Sequence, residues 1–187
     1  MEKIQILAIV GSLRQGSYNR QLALEAARVI GGQADFELLE YDDVPLMNQD
    51  IEFPAPDAVK RVRSAVQDAD GIWFFTPEYN HFFPGVLKNL IDWLSRPISE
   101  SEPQVLAGKP AAISGTTPGM SGTAIAQDHL VTLISLLNMK VMNRPRLTIP
   151  SVGTQLDENG LLTLTASTPY LEKQAQEFIR FIEQSIA

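Results

Sequence analysis

The sequence predicts a doubly wound α/β domain, a five-stranded parallel sheet with helices on both faces, and three observations predict it. Short apolar, β-rich runs alternate with longer amphipathic ones, the pattern of successive βαβ units. Ile72, Trp73, Phe74 and Phe75 are apolar in succession, as expected of a parallel strand covered on both faces. Loops rich in Gly, Ser, Thr, Pro and aromatic residues follow the first, third and fourth β-rich runs.

In chain order, residues 4–10 read as the first strand, ending at Gly11. Residues 19–30 read as a helix with Leu22, Ala23, Ala26, Ala27 and Ile30 on one stripe and Gly31-Gly32 as its stop. Residues 36–41 are the second strand, and 56–66 a helix with Val59, Val62 and Val66 on one face. Residues 71–76 form the third strand. Pro84 stands at a helix start, where proline is tolerated, before a wide stripe of Val86, Leu87, Leu90, Ile91 and Leu94. Residues 110–114 are the fourth strand, about 122–138 a helix, and about 146–149 the fifth strand. Asp157-Glu158-Asn159-Gly160 is a turn, and residues 168–186 close the chain as a helix with Leu171, Ala175, Phe178, Ile179 and Ile182 inward.

Its 187 residues suit one domain, 1–187, without a linker, and 44% hydrophobic content supplies a core. The formal net charge of -7 argues against broad nucleic-acid binding, which needs a basic face. The apolar runs are too short for a bilayer, which takes ~20 residues. No charged-then-apolar leader precedes Ile4, so the expected location is the cytoplasm. Cysteine is absent, which excludes thiol nucleophiles, CxxC redox pairs and cysteine-ligated metal, so redox chemistry here needs a borrowed cofactor. The two histidines, His81 and His129, lack the supporting cluster a metal would need.

In a doubly wound sheet, ligands bind beyond the carboxyl ends of the strands. Loop 1, residues 11–20, offers backbone N–H groups, the hydroxyls of Ser12 and Ser17, the Asn19 amide, Arg14 and Arg20 at a helix N-terminus. That set suits a terminal phosphate monoester, while its spacing fits neither the dinucleotide fingerprint nor the NTPase loop. A tight turn with Ser17 or Asn19 as helix cap is the plainer alternative. Loop 2, residues 76–85, combines Pro77 and Pro84 with Tyr79, Phe82 and Phe83, an arrangement suited to a flat heteroaromatic ring. Satellite core or a subunit contact is the alternative for the two phenylalanines. Loop 3, residues 114–123, is rich in small residues that permit close backbone approach; an ordinary flexible connection is the alternative. In the strand order 2-1-3-4-5, the first, third and fourth strands are adjacent and all three loops line one sheet edge.

With these residues in view, the chain resembles the NADPH-dependent FMN reductase family, with its quinone, chromate and azo-dye reductases. The resemblance rests on residues 11–20, on Thr76-Pro77-Glu78-Tyr79-Asn80, and on Pro84-Gly85, Leu87-Lys88-Asn89 and Ile91-Asp92-Trp93-Leu94-Ser95-Arg96. It implies a flavodoxin-like fold, bound FMN, NADPH or NADH as electron donor, and a small-molecule acceptor such as a quinone, azo compound, chromate or free flavin. It implies phosphate-binding roles for Ser12, Arg14, Ser17 and Asn19. Pro77, Glu78, Tyr79 and Asn80 would border the isoalloxazine, and Thr116, Thr117 and Gly119 would complete the cradle. It further implies a homodimer or homotetramer. The chain departs at His81 and at Thr123-Ala124-Ile125-Ala126, where several relatives carry an arginine, which puts family salt bridges across a tetramer in doubt.

Hydride transfer to a flavin needs stacking and exclusion of side reactions more than an acid–base pair, and no side chain is singled out as catalytic. The rival reading is a flavodoxin-like electron carrier or flavin sensor that does not oxidise NAD(P)H. The helix after Pro84 is expected to contribute a subunit interface centred on Trp93, with burial inside the chain as the alternative.

Overall fold

The computed structural model describes residues 3–186. Its strands are β1 (Gln5–Val10), β2 (Asp35–Leu38), β3 (Gly71–Phe75), β4 (Pro110–Thr116), β5 (Lys140–Val141) and β6 (Leu147–Ile149). The main helices are α1 (Tyr18–Ile30), α2 (Asp57–Asp68), α3 (Gly85–Leu94), α4 (Ala124–Leu136) and α5 (Thr168–Ile186). The sheet runs β2-β1-β3-β4-β5, every pairing parallel, in the flavodoxin-like order that the sequence predicts.

The fifth sheet position is shared by two short strands rather than filled by one. β5 pairs with Pro110 and Ala111 at the start of β4, and β6 pairs with Ser114, Gly115 and Thr116 at its end. The sequence reading placed β6 and missed β5, because two residues leave no periodicity to read.

Strand side chains alternate between faces, and both faces are covered. Leu7, Ile9, Ile72, Phe74 and Ile113 meet α2, α3 and α4. Ile6, Ala8, Val10, Trp73, Phe75 and Ala112 meet α1 and α5. Burying each large side chain is worth roughly 1.5–3 kcal/mol, so these two layers carry the fold. One buried polar chain crosses the second layer: Trp73 Nε1 donates to Ser114 Oγ at 2.8 Å, and Ser114 Oγ donates to Gln174 Oε1 of α5 at 2.6 Å.

Trp93 overturns the expected interface centre. It is fully buried, packs with Ala55 and Val59, and its Nε1 donates to the Pro45 carbonyl at 2.8 Å. Asn89 accepts from Met47 N–H at 2.7 Å and donates to the Pro45 carbonyl at 2.9 Å. The segment after β2 therefore lies over α3 and supplies the cover that a partner was expected to give. Only Val86 of the apolar stripe is exposed.

Candidate cofactor-binding site

Loop 1 leaves β1 at Gly11, whose N–H donates to the Phe75 carbonyl at 2.8 Å. Tyr41, buried beside β1, donates its hydroxyl to the Val10 carbonyl at 2.6 Å, and burial pushes that phenol above its usual range. The loop is thus held at its root from β3 on one side and from the segment after β2 on the other. Ser17 caps α1, its Oγ accepting from Arg20 N–H at 3.3 Å. Ser12 Oγ accepts from Arg14 N–H at 3.3 Å. Among the described residues, the amides of Tyr18 and Asn19 in the first turn of α1 find no protein acceptor, leaving two donors at the positive end of the helix dipole.

Loop 3 is tied to loop 1 through Asn19. Its Nδ2 donates to the Thr116 carbonyl and its Oδ1 accepts from Thr116 N–H, both at 3.0 Å, with Asn19 buried. Thr116 gives its hydroxyl to the Ile149 carbonyl at 3.1 Å. Loop 2 ends in a hairpin: Tyr79 and Phe82 exchange backbone hydrogen bonds at 2.9 and 3.0 Å. Asn80 and His81 between them have φ of 53° and 60°, the positive values a type I′ turn requires.

The three loops meet in a cleft of about 220 Å3 lined by Ser12, Arg14, Ser17, Tyr18, Asn19, Pro77, Glu78, Tyr79, Thr116, Thr117 and Pro118. All but two of the expected site residues line it; Asn80, at the hairpin tip, and Gly119 do not. Tyr18 and Pro118 line it without having been singled out. The Arg14 guanidinium lies 5.7 Å from the Tyr18 ring centre, a cation–π contact that the spacing of the two residues in one loop allowed but did not announce. Arg20 is paired with Glu40 at 2.5 Å and lines a neighbouring concavity, so one guanidinium and not two lines this cleft. A second concavity of about 320 Å3 shares Ser12 and Arg14 and runs on to Glu40, Tyr41 and Asp42.

Residues 4–154 match the family described as NADPH-dependent FMN reductase. The chain belongs to that family. It is 37% identical over 179 residues, 96% of each chain, to a 2-hydroxy-1,4-benzoquinone reductase of a Burkholderia species. It is 39% identical over 176 residues, 94% of this chain and 93% of the relative, to an NAD(P)H-dependent FMN reductase of Pseudomonas aeruginosa. In three dimensions it is similar to the flavoenzyme NAD(P)H:acceptor oxidoreductase FerB of Paracoccus denitrificans, with a TM-score of 0.87, 32% identity and coverage of 97% and 99% of the two chains. As a member of this family, the protein is an FMN-dependent oxidoreductase that takes electrons from NAD(P)H to a small acceptor.

The cleft fits FMN on its own chemistry. Two hydroxyls, two free helix-terminal amides and one guanidinium answer a phosphate of charge near -2. The amide of Tyr79 is taken by Phe82, while those of Glu78 and Asn80 find no protein acceptor among the described residues. Those two amides are donors that loop 2 leaves for a polar ring edge. No helix of the described residues is long and apolar enough to cross a membrane.

Proposed function

We propose that this FMN reductase holds the flavin phosphate against the first turn of α1 and reduces quinone-type acceptors. The observation that carries the reading is the convergence of Ser12, Arg14 and Ser17 with Pro77, Glu78 and Tyr79 in one cleft at the carboxyl ends of β1, β3 and β4. When bound, FMN supplies the two-electron redox chemistry between the nicotinamide and the acceptor. The protein binds and orients. Ser12, Ser17, Arg14 and the Tyr18 and Asn19 amides take the phosphate; Asn19's side-chain amide, fully engaged with Thr116, acts as a clamp between the loops. Pro77, Glu78 and Tyr79 border the ring from loop 2, with Asn80 supplying its backbone N–H. Thr116 and Thr117 close the third side, and Gly119 keeps that loop slim.

A quinone acceptor is supported by the benzoquinone reductase relative and by an exposed aromatic surface beside the cleft. Phe82 lies against His129 with ring centres 4.5 Å apart and planes tilted by 31°, and Tyr79 is 54% exposed. That same patch, continued by the exposed Ile125 at the start of α4, supports a homodimer or homotetramer that closes the site over the flavin.

Heat release and mass identification of the cofactor test the first claim: FMN is expected, and FAD or no flavin overturns it. Steady-state NADPH oxidation with and without a benzoquinone tests the second. Flavin reduction without turnover on any quinone would make the protein an electron carrier instead. Light scattering tests the third, with at least a dimer mass expected and a monomer refuting it.

A further inference from the structure

We propose that Glu78 is a positioning residue for the flavin site, its carboxylate acting as the helix cap that α4 lacks and so fastening loop 2 to loop 3. The inference rests on reading the cleft as the FMN site.

Helix α4 starts without a cap of its own. Thr123 occupies the cap position at φ 70° and makes no capping hydrogen bond; its Oγ1 instead accepts from Gln127 Nε2 at 3.0 Å. The N–H of Ala126, in the first turn, is an orphan that a local cap would normally satisfy. It donates to Glu78 Oε2 at 3.0 Å, from a residue 48 positions earlier in the chain. A carboxylate is favoured there by the helix dipole, and the Glu78 side chain is only 6% exposed. Its other oxygen, Oε1, lies 3.6 Å from His81 Nδ1 across the hairpin turn.

Two neighbouring features make this bond a fastening and not an ornament. Gly115, at the end of β4, has Thr76 on one side and Thr123 on the other, and a Cβ there would collide with the Thr76 carbonyl and Thr123 Oγ1. The roots of loops 2 and 3 are therefore pressed together at that level. The hairpin at Tyr79–Phe82 makes the rest of loop 2 a closed unit. Between the tight root and the closed tip, Glu78 hydrogen-bonds loop 2 to the first turn of α4, while Phe82 of the tip lies against His129 further along that helix. The backbone carrying the free Glu78 and Asn80 amides is then held in place before any ligand arrives, which lowers the ordering cost of binding.

The test compares Glu78→Ala with Glu78→Gln, whose amide oxygen still accepts from Ala126 N–H. FMN titration of the apo proteins, the visible spectrum of the bound flavin and amide exchange at Ala126 are the readouts. Glu78→Ala is expected to weaken FMN binding by about five- to tenfold, the size of a lost helix cap, to shift the flavin spectrum and to release the Ala126 amide. Glu78→Gln is expected to stay within about twofold of wild type on the same cap arithmetic. If Glu78→Ala does not fold, Glu78→Asp, one methylene too short, is expected to show the same weakening. Wild-type affinity and spectrum in Glu78→Ala, or a Gln variant as weak as the Ala variant, overturns the proposal. Wild-type protein that binds no FMN overturns the site reading and this role together, and protected Ala126 exchange then shows that the cap itself stands.

Discussion

Replacing Asn19 by alanine isolates the clamp between the first and third loops. The side chain makes two 3.0 Å hydrogen bonds to the backbone of Thr116 in a site where both residues are buried. Each bond is worth about 1 kcal/mol net, and alanine leaves the Thr116 N–H and carbonyl short of a partner in a dry place, so the expected loss is about 2–4 kcal/mol. Against a domain stability of about 5–15 kcal/mol the variant still folds. With a urea slope near 2 kcal/mol/M, the unfolding midpoint of the apo protein should drop by about 1–2 M. A loss below about 1 kcal/mol for Asn19→Ala, within the worth of one ordinary hydrogen bond, would refute the clamp.

Three further outcomes follow from the same geometry. Arg14→Ala should weaken FMN binding about ten- to hundredfold, the worth of one charged hydrogen bond, with an unchanged urea midpoint because Arg14 is exposed; unchanged affinity in a flavin titration would remove it from the site. Trp93→Ala should cost about 3–5 kcal/mol without changing the molar mass by light scattering, since Trp93 is buried under the chain's own Pro45 segment; a lower mass at unaltered stability would return Trp93 to an interface. Gly115→Ala should cost about 1–3 kcal/mol by overpacking, and an unaltered thermal midpoint would show that Thr76 and Thr123 yield easily.

The strands and helices were legible because hydrophobic period is a local signal, while the order 2-1-3-4-5 came with the flavodoxin-like fold that the resemblance implies. β3 read as fully buried from four consecutive apolar residues, and the structure buries every one of them. α5 begins and ends at Thr168 and Ile186 as its periodicity predicts. What escaped was long-range. Nothing near Trp93 in sequence says that residues 44–55 fold back over it, so its apolar surface read as surplus. Arg20 read as an anion ligand because its partner, Glu40, lies beyond a helix and a strand. The engagement of the Asn19 side chain escaped for the same reason: its partner, Thr116, lies 97 positions away. Loop composition told which residue types gather near the cleft, and only the fold decides which polar atoms remain free there.

The division between free and engaged atoms explains how a cofactor site is built from these loops. Loop 1 is held by the Tyr41 hydroxyl on Val10 and by Gly11 on Phe75, loop 3 by Asn19 on Thr116 and by Thr117 N–H on the Ile149 carbonyl at 3.1 Å, and loop 2 by its own hairpin and Glu78. Every one of these bonds consumes a donor or acceptor that composition alone would have offered to a ligand. Among the donors left over are the Ser12 and Ser17 hydroxyl protons, the Tyr18 and Asn19 amides, the Glu78 and Asn80 amides, and Arg14. These donors fall in two groups, one at the α1 terminus and one along loop 2. A ligand that satisfies them must carry an anion at one end and a polar, acceptor-rich edge at the other, separated by a spacer that crosses from β1 to β3. FMN has that shape, and a free phosphate or a nucleobase alone satisfies only half of it. Riboflavin should therefore bind far more weakly than FMN, by more than the ten- to hundredfold expected for Arg14→Ala, because it leaves the whole α1 terminus unanswered. Competitive titration of the apo protein with the two flavins measures the gap, and equal affinities would show that the α1 terminus does not hold the phosphate.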